Sequence, residues 1–156
     1  MRHLAILAVL VIFAAGCGSG SGGADPSASP TGPGNGAAQD VDGAWRLRSG
    51  RGPQGAIPKS AVRKVTLTID GNEIGGIAAC NHYGGTAMID GTNFFVGQGL
   101  SMTDMGCMDR DISRAESIYI DALPRAVTIE RNGRTLTISG PGVELRFQRM
   151  RAADSD

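Results

Sequence analysis

Residues able to do chemistry crowd into one stretch of this chain, Ala79 to Cys107, which holds Cys80, Asn81, His82, Tyr83, Met102, Met105, Met108 just beyond it, and Cys107 itself. Soft thiolate and thioether donors suit Cu(I). Copper binding through Met102, Met105, Met108 and His82, with the two cysteines beside them, is therefore the sharpest metal reading available. Against it, methionine is a common filler of apolar gaps, and a single Cys-x-His pair falls short of the two pairs a zinc site needs. His82 with Asp104 or Glu116 could make an acid–base pair. No serine sits in a nucleophile-elbow context, and the glycines of Asp70–Gly76 come without a lysine for phosphate. The residues point away from an enzyme, from a resident metal and from a cofactor. What they leave open is a recognition surface formed by Asn81, His82, Tyr83, Thr103 and Asp104. The bland reading of two of these is structural: an Asn beside a bulge satisfies backbone groups, and a Tyr buries its ring while its hydroxyl stays wet.

The elements that must position this stretch follow from pattern. Arg2 precedes an apolar run from Leu4 to Ala15 that ends in small residues. A spanning helix needs about 20 apolar residues, so the shorter run reads as an export signal over residues 1–16. Ala14-Ala15-Gly16-Cys17 is similar to the lipobox of bacterial lipoproteins, with Ala14 where Leu is usual; that resemblance implies cleavage after Gly16 and a diacylglyceryl group on Cys17. The expected location is the cell envelope, with the membrane as partner through the lipid. Residues 17–40, rich in Gly, Ser and Pro and poor in large apolar side chains, read as a flexible tether. Basic and acidic residues balance at 15 each with no long run of either sign, which speaks against a nucleic-acid partner and against a polybasic membrane patch.

Order is expected over residues 41–150, with 151–156 a polar tail. Trp45 and Leu47 alternate with Arg46 and Arg48; Val65, Leu67 and Ile69 alternate with Lys64, Thr66 and Thr68 in a strand starting at Ala61. Asp70-Gly71 turns that strand back into Glu73–Ala79, where Gly75-Gly76 suggests a bulge or a close backbone approach. Thr86–Ile89 and Thr92–Val96 form a second hairpin, and Ala126–Glu130, Arg134–Ser139 and Val143–Arg149 supply three more strands. Asp109–Leu123 has the period of a helix, with Ile112, Ala115, Tyr119 and Leu123 on one stripe, Asp109 or Asp111 as cap, a capping-box spacing at Ser113 and Glu116, and Pro124 as the stop. The fold expected is β-rich α+β, a curved antiparallel sheet or small barrel of about eight strands with one covering helix.

Trp45-Arg46-Leu47, Val65–Ile69, Cys80-Asn81-His82-Tyr83-Gly84-Gly85, Thr103-Asp104-Met105-Gly106-Cys107, Glu116 with Ala122-Leu123, and Leu145-Arg146-Phe147 together resemble the META domain, also called HslJ-like. The resemblance spans roughly Asp42 to Arg149, and its most specific element is Cys-Asn-x-Tyr-x-Gly paired with Thr-x-Met-x-Cys. Ala79 stands where the family usually has Gly, and Asp104 and Gly106 differ from the more apolar or small residues expected there. The resemblance implies a small β-rich domain, common on envelope lipoproteins and linked to stress response, with no enzymatic activity established for the class.

Two further expectations follow. Export, and the even pair left once Cys17 is set aside, favour a Cys80–Cys107 disulfide. Second, a curved sheet closed by a helix could carry a small apolar or lipid ligand if residues such as Ile74, Met88, Phe94 and Tyr119 lined a cavity. The leading expectation is a lipid-anchored, non-enzymatic envelope protein with a stress-related binding or structural role and an envelope protein as partner; the carrier and the copper site are its alternatives.

Overall fold

A computed structural model describes residues 40–151. The expected export signal, Cys17, the expected tether up to residue 39 and residues 152–156 lie outside the described residues. The described residues form ten strands: β1 (Gly43–Gly52), β2 (Gly55–Ala56), β3 (Thr66–Asp70), β4 (Glu73–Ile77), β5 (His82–Asp90), β6 (Asn93–Val96), β7 (Ser101–Met102), β8 (Thr128–Asn132), β9 (Thr135–Gly140) and β10 (Val143–Arg149). One α-helix, α1 (Arg110–Ala122), and two 3₁₀ turns, Val62–Lys64 and Leu123–Arg125, accompany them among the described residues.

Eight of the strands close into an antiparallel barrel in the order β10-β9-β8-β6-β5-β4-β3-β1, and pairing of β10 with β1 seals the ring. β1 is long enough to serve both neighbours, setting Trp45 opposite Leu67 of β3 and opposite Arg149 of β10. A register shift between Leu47 and Ser49 bends it along the way, as bulges do in strongly curved sheets. The short β2 and β7 pair with β1 and β5 outside the ring. The β6–β8 seam is the thinnest, with Asn93 opposite Thr128 and backbone bonds from Phe94 N to Val127 O (3.0 Å) and from Ile129 N to Thr92 O (2.9 Å).

Alternation fills the barrel. Trp45, Leu47, Leu67, Ile129, Leu136, Ile138 and Leu145 are completely buried, and each aliphatic side chain so placed contributes roughly 1.5–3 kcal/mol over an exposed one. Phe94 and Val96 face in while Phe95, between them, is 61% exposed. α1 buries Ala115, Ile118, Tyr119 and Ala122 and lies so near β1 that a Cβ on Gly52 would stand 3.0 Å from the Ala122 methyl.

The structure differs from the pattern reading in three places. Residues 62–64 wind into a 3₁₀ turn instead of strand, with Lys64 N donating to Ala61 O at 3.0 Å and Val65 N to Val62 O at 3.3 Å. β5 begins at His82 instead of Thr86: β4 on one side and β7 on the other supply ladder partners that its glycines can use without a side-chain clash. At Gly76 the double glycine serves the close approach expected of it, since a Cβ there would lie 2.4 Å from the Thr66 carbonyl oxygen. Ser113 and Glu116 form no capping box. Asp109 alone caps α1, accepting from Asp111 N and Ile112 N, while Ser113 Oγ donates to the carbonyls of Cys107 and Asp109.

Candidate functional site

Between β4 and β5 the chain turns tightly, with Ala78 N donating to Asn81 O at 2.8 Å. Inside that turn Ala79 has φ +90°, in the half of φ space that favours glycine. The turn drives Asn81 into the protein, where it is 3% exposed and the one buried polar residue among those described. Its amide is completely used. Nδ2 donates to Glu116 Oε1 at 2.9 Å and to the Met105 carbonyl at 3.2 Å; Oδ1 accepts from Met105 N at 2.7 Å and from Thr103 Oγ1 at 2.9 Å. Its backbone N donates to Glu116 Oε2 at 2.6 Å. One side chain thus ties the β4–β5 turn, the segment before α1 and the helix itself into a single knot.

A disulfide between Cys80 and Cys107 runs beside it, with the two Cα atoms 6.2 Å apart. Thr103 continues the knot outward, its N donating to His82 O at 3.0 Å and its Oγ1 accepting from His82 N at 3.1 Å.

Tyr83 points inward from β5 and is 5% exposed. Its hydroxyl donates to Thr66 O at 3.1 Å and lies 2.6 Å from the hydroxyl of Tyr119. The two rings meet edge to face at 5.5 Å, and Tyr119 meets Phe147 in the same way at 6.4 Å. Burial, then the neighbouring Tyr119 hydroxyl, pushes the Tyr83 phenol well above its ordinary value. Burial likewise raises Tyr119, although the hydrogen bond with Tyr83 works the other way. Both phenols are therefore neutral structural groups at physiological pH.

The sequence candidates separate accordingly. Asn81 and Tyr83 are interior, because the turn and the inward register of β5 bury them; they offer a partner no surface. His82, Thr103 and Asp104 are exposed. Glu116, considered as a partner for His82, has its two carboxylate oxygens on Asn81. Sequence reading missed this role because the partners are 35 residues apart and nothing in the local pattern of α1 marks Glu116 for it.

The sulfurs of Cys80 and Cys107 and a Glu116 oxygen lie within 4.8 Å of one another, but sulfurs bonded to each other present no thiolate to a metal. Met102, Met105 and Met108 are 45%, 52% and 101% exposed, so they stand on the surface and fill no core gap. Of the residues considered as a cavity lining, Ile74, Phe94 and Tyr119 are packed in the interior while Met88 is 64% exposed and points away from it.

Comparison with known proteins adds context to this geometry. The family model described as the META domain matches residues 38–152. Among solved structures, the NMR structure of a protein from Burkholderia xenovorans is similar with a TM-score of 0.56 at 25% identity, covering 81% of this chain and 97% of that one. A second NMR structure has a TM-score of 0.52 at 18% identity, covering 72% of this chain and 90% of its own. The crystal structure of a DUF4847 family protein from Bacteroides vulgatus has a TM-score of 0.50 at 14% identity, covering 74% and 95%. No curated protein matches the chain.

Proposed function

Since the chain belongs to the META domain family over residues 38–152, we propose that it is a lipid-anchored envelope protein whose barrel has a non-enzymatic, stress-related binding or structural role. The observation that carries this reading is the knot at Asn81. The cysteines, Asn81, Thr103 and Tyr83 of the stretch richest in chemistry are committed to holding the fold: the cysteines to each other, Thr103 and the helix residue Glu116 to Asn81, Tyr83 to Tyr119. A site built for catalysis keeps a nucleophile or a base within reach of substrate. Here the exposed remainder, His82 and Asp104 beside the pinned segment, is what a partner protein would meet.

Anchoring rests on the Ala14-Ala15-Gly16-Cys17 segment and on the tether, which would let the barrel stand off the membrane. Mass spectrometry of membrane fractions tests it. The expected product begins at Cys17 and carries a diacylglyceryl group; a soluble product with an unmodified Cys17 would end the anchoring claim. The packed interior favours a binding or structural role over a carrier of apolar ligands.

A further inference from the structure

Closing the barrel gathers charge that the sequence disperses. Arg46 and Arg48 of β1, Arg63 of the first 3₁₀ turn, Arg134 before β9, Arg149 at the end of β10 and Arg151 beyond it line one cleft of about 270 Å³ together with Gln148. No carboxylate is among its described lining residues. The whole chain balances 15 basic against 15 acidic residues, so composition alone does not call for six arginines in one place. The β1–β10 seam creates the cluster by setting Arg46 opposite Gln148 and Trp45 opposite Arg149.

Part of the cluster is rigid. The Arg149 guanidinium lies 5.2 Å from the centre of the Trp45 ring, and its Nη1 is buried with no hydrogen-bond partner among the described residues. Arg134 Nη2 donates to Arg149 O at 2.9 Å, and Arg149 N donates to Arg134 O at 2.8 Å. Arg46 and Arg151 have further interactions of their own, while Arg48 and Arg63 are exposed at the cleft. Like charges gathered in one cleft repel one another. An anion in the cleft would offset that repulsion. The planar guanidinium fork matches the oxygens of phosphate. The volume falls below the roughly 300–1,000 Å³ of pockets for drug-sized ligands, which suits an oxyanion or a headgroup.

We propose that this cleft binds a phosphate-type oxyanion, whether free phosphate or the phosphodiester headgroup of an anionic lipid. The site is distinct from the Asn81 knot and does not depend on the anchor at Cys17.

Calorimetric titration of the purified full chain at constant ionic strength, once with inorganic phosphate and once with glycerophosphoglycerol, tests the proposal. Saturable binding of either compound supports it: phosphate binding assigns the cleft to the free anion, headgroup binding to the membrane. The double substitution Arg48→Ala/Arg63→Ala, at two exposed positions, is expected to weaken that binding at least tenfold and to flatten its salt dependence. Absence of saturable binding for both compounds at millimolar concentration, or unchanged affinity in the double variant, would overturn it.

Discussion

Ala79 occupies a backbone conformation, φ +90°, that costs an L-residue roughly 1–2 kcal/mol. Glycine would escape that cost but lose more entropy on folding, by roughly 0.5–1 kcal/mol. We therefore expect Ala79→Gly to stabilise the protein by about 0.5–1 kcal/mol, read as a higher urea midpoint at unchanged slope; an equal or lower midpoint would show that the buried methyl outweighs the backbone. The fold evidently tolerates this strain because the residue two positions on is so heavily tied. Asn81 makes five hydrogen bonds as donor or side-chain acceptor, to Glu116, Met105 and Thr103. Conventional bonds contribute about 1 kcal/mol each, and more where a charged partner is involved.

At the scale of elements, the segment from β7 to α1 has little ladder of its own and is held by the disulfide and by Asn81. Cys80 and Cys107 are separated by 27 residues, and a loop of that size contributes roughly 3.5 kcal/mol on the chain-entropy account. The paired substitution Cys80→Ala/Cys107→Ala should lower unfolding free energy by about that amount in oxidising buffer. A reductant should bring the native protein down towards the variant while leaving the variant itself unchanged. Wild-type stability that is indifferent to reductant would argue that the Asn81 knot alone secures the segment. α1 belongs to the same assembly, since its Glu116 closes the knot and its Tyr119 reaches both Tyr83 and Phe147.

For the molecule as a whole, the tyrosine pair makes alkaline pH the vulnerable side. A phenol raised in the folded state favours the fold below the unfolded value of about 10, and that stability is lost as pH climbs from there through the raised folded values. Each tyrosine can remove up to about 1.4 kcal/mol per pH unit in that window. The chain has two tyrosines, both buried here. Phenolate absorbance should therefore stay absent at pH 10–11 and appear together with unfolding; a smooth rise centred near pH 10 in the folded protein would contradict the buried pair. The eight barrel strands and the helix were legible from sequence because burial imposes its period locally: Trp45 and Leu47, Phe94 and Val96, or Val143, Leu145 and Phe147 declare their face within a few residues. The cysteine pairing could be read from the even count left once Cys17 is set aside, together with the export expected of residues 1–16. What sequence could not supply was anything depending on which strand closes the ring. Only the tertiary structure turned Asn81 from an exposed candidate into a buried knot, gave Glu116 its partner and brought six arginines to one cleft. Each of those rests on contacts between residues far apart in the chain, where side-chain period carries no information and strand order decides which groups meet.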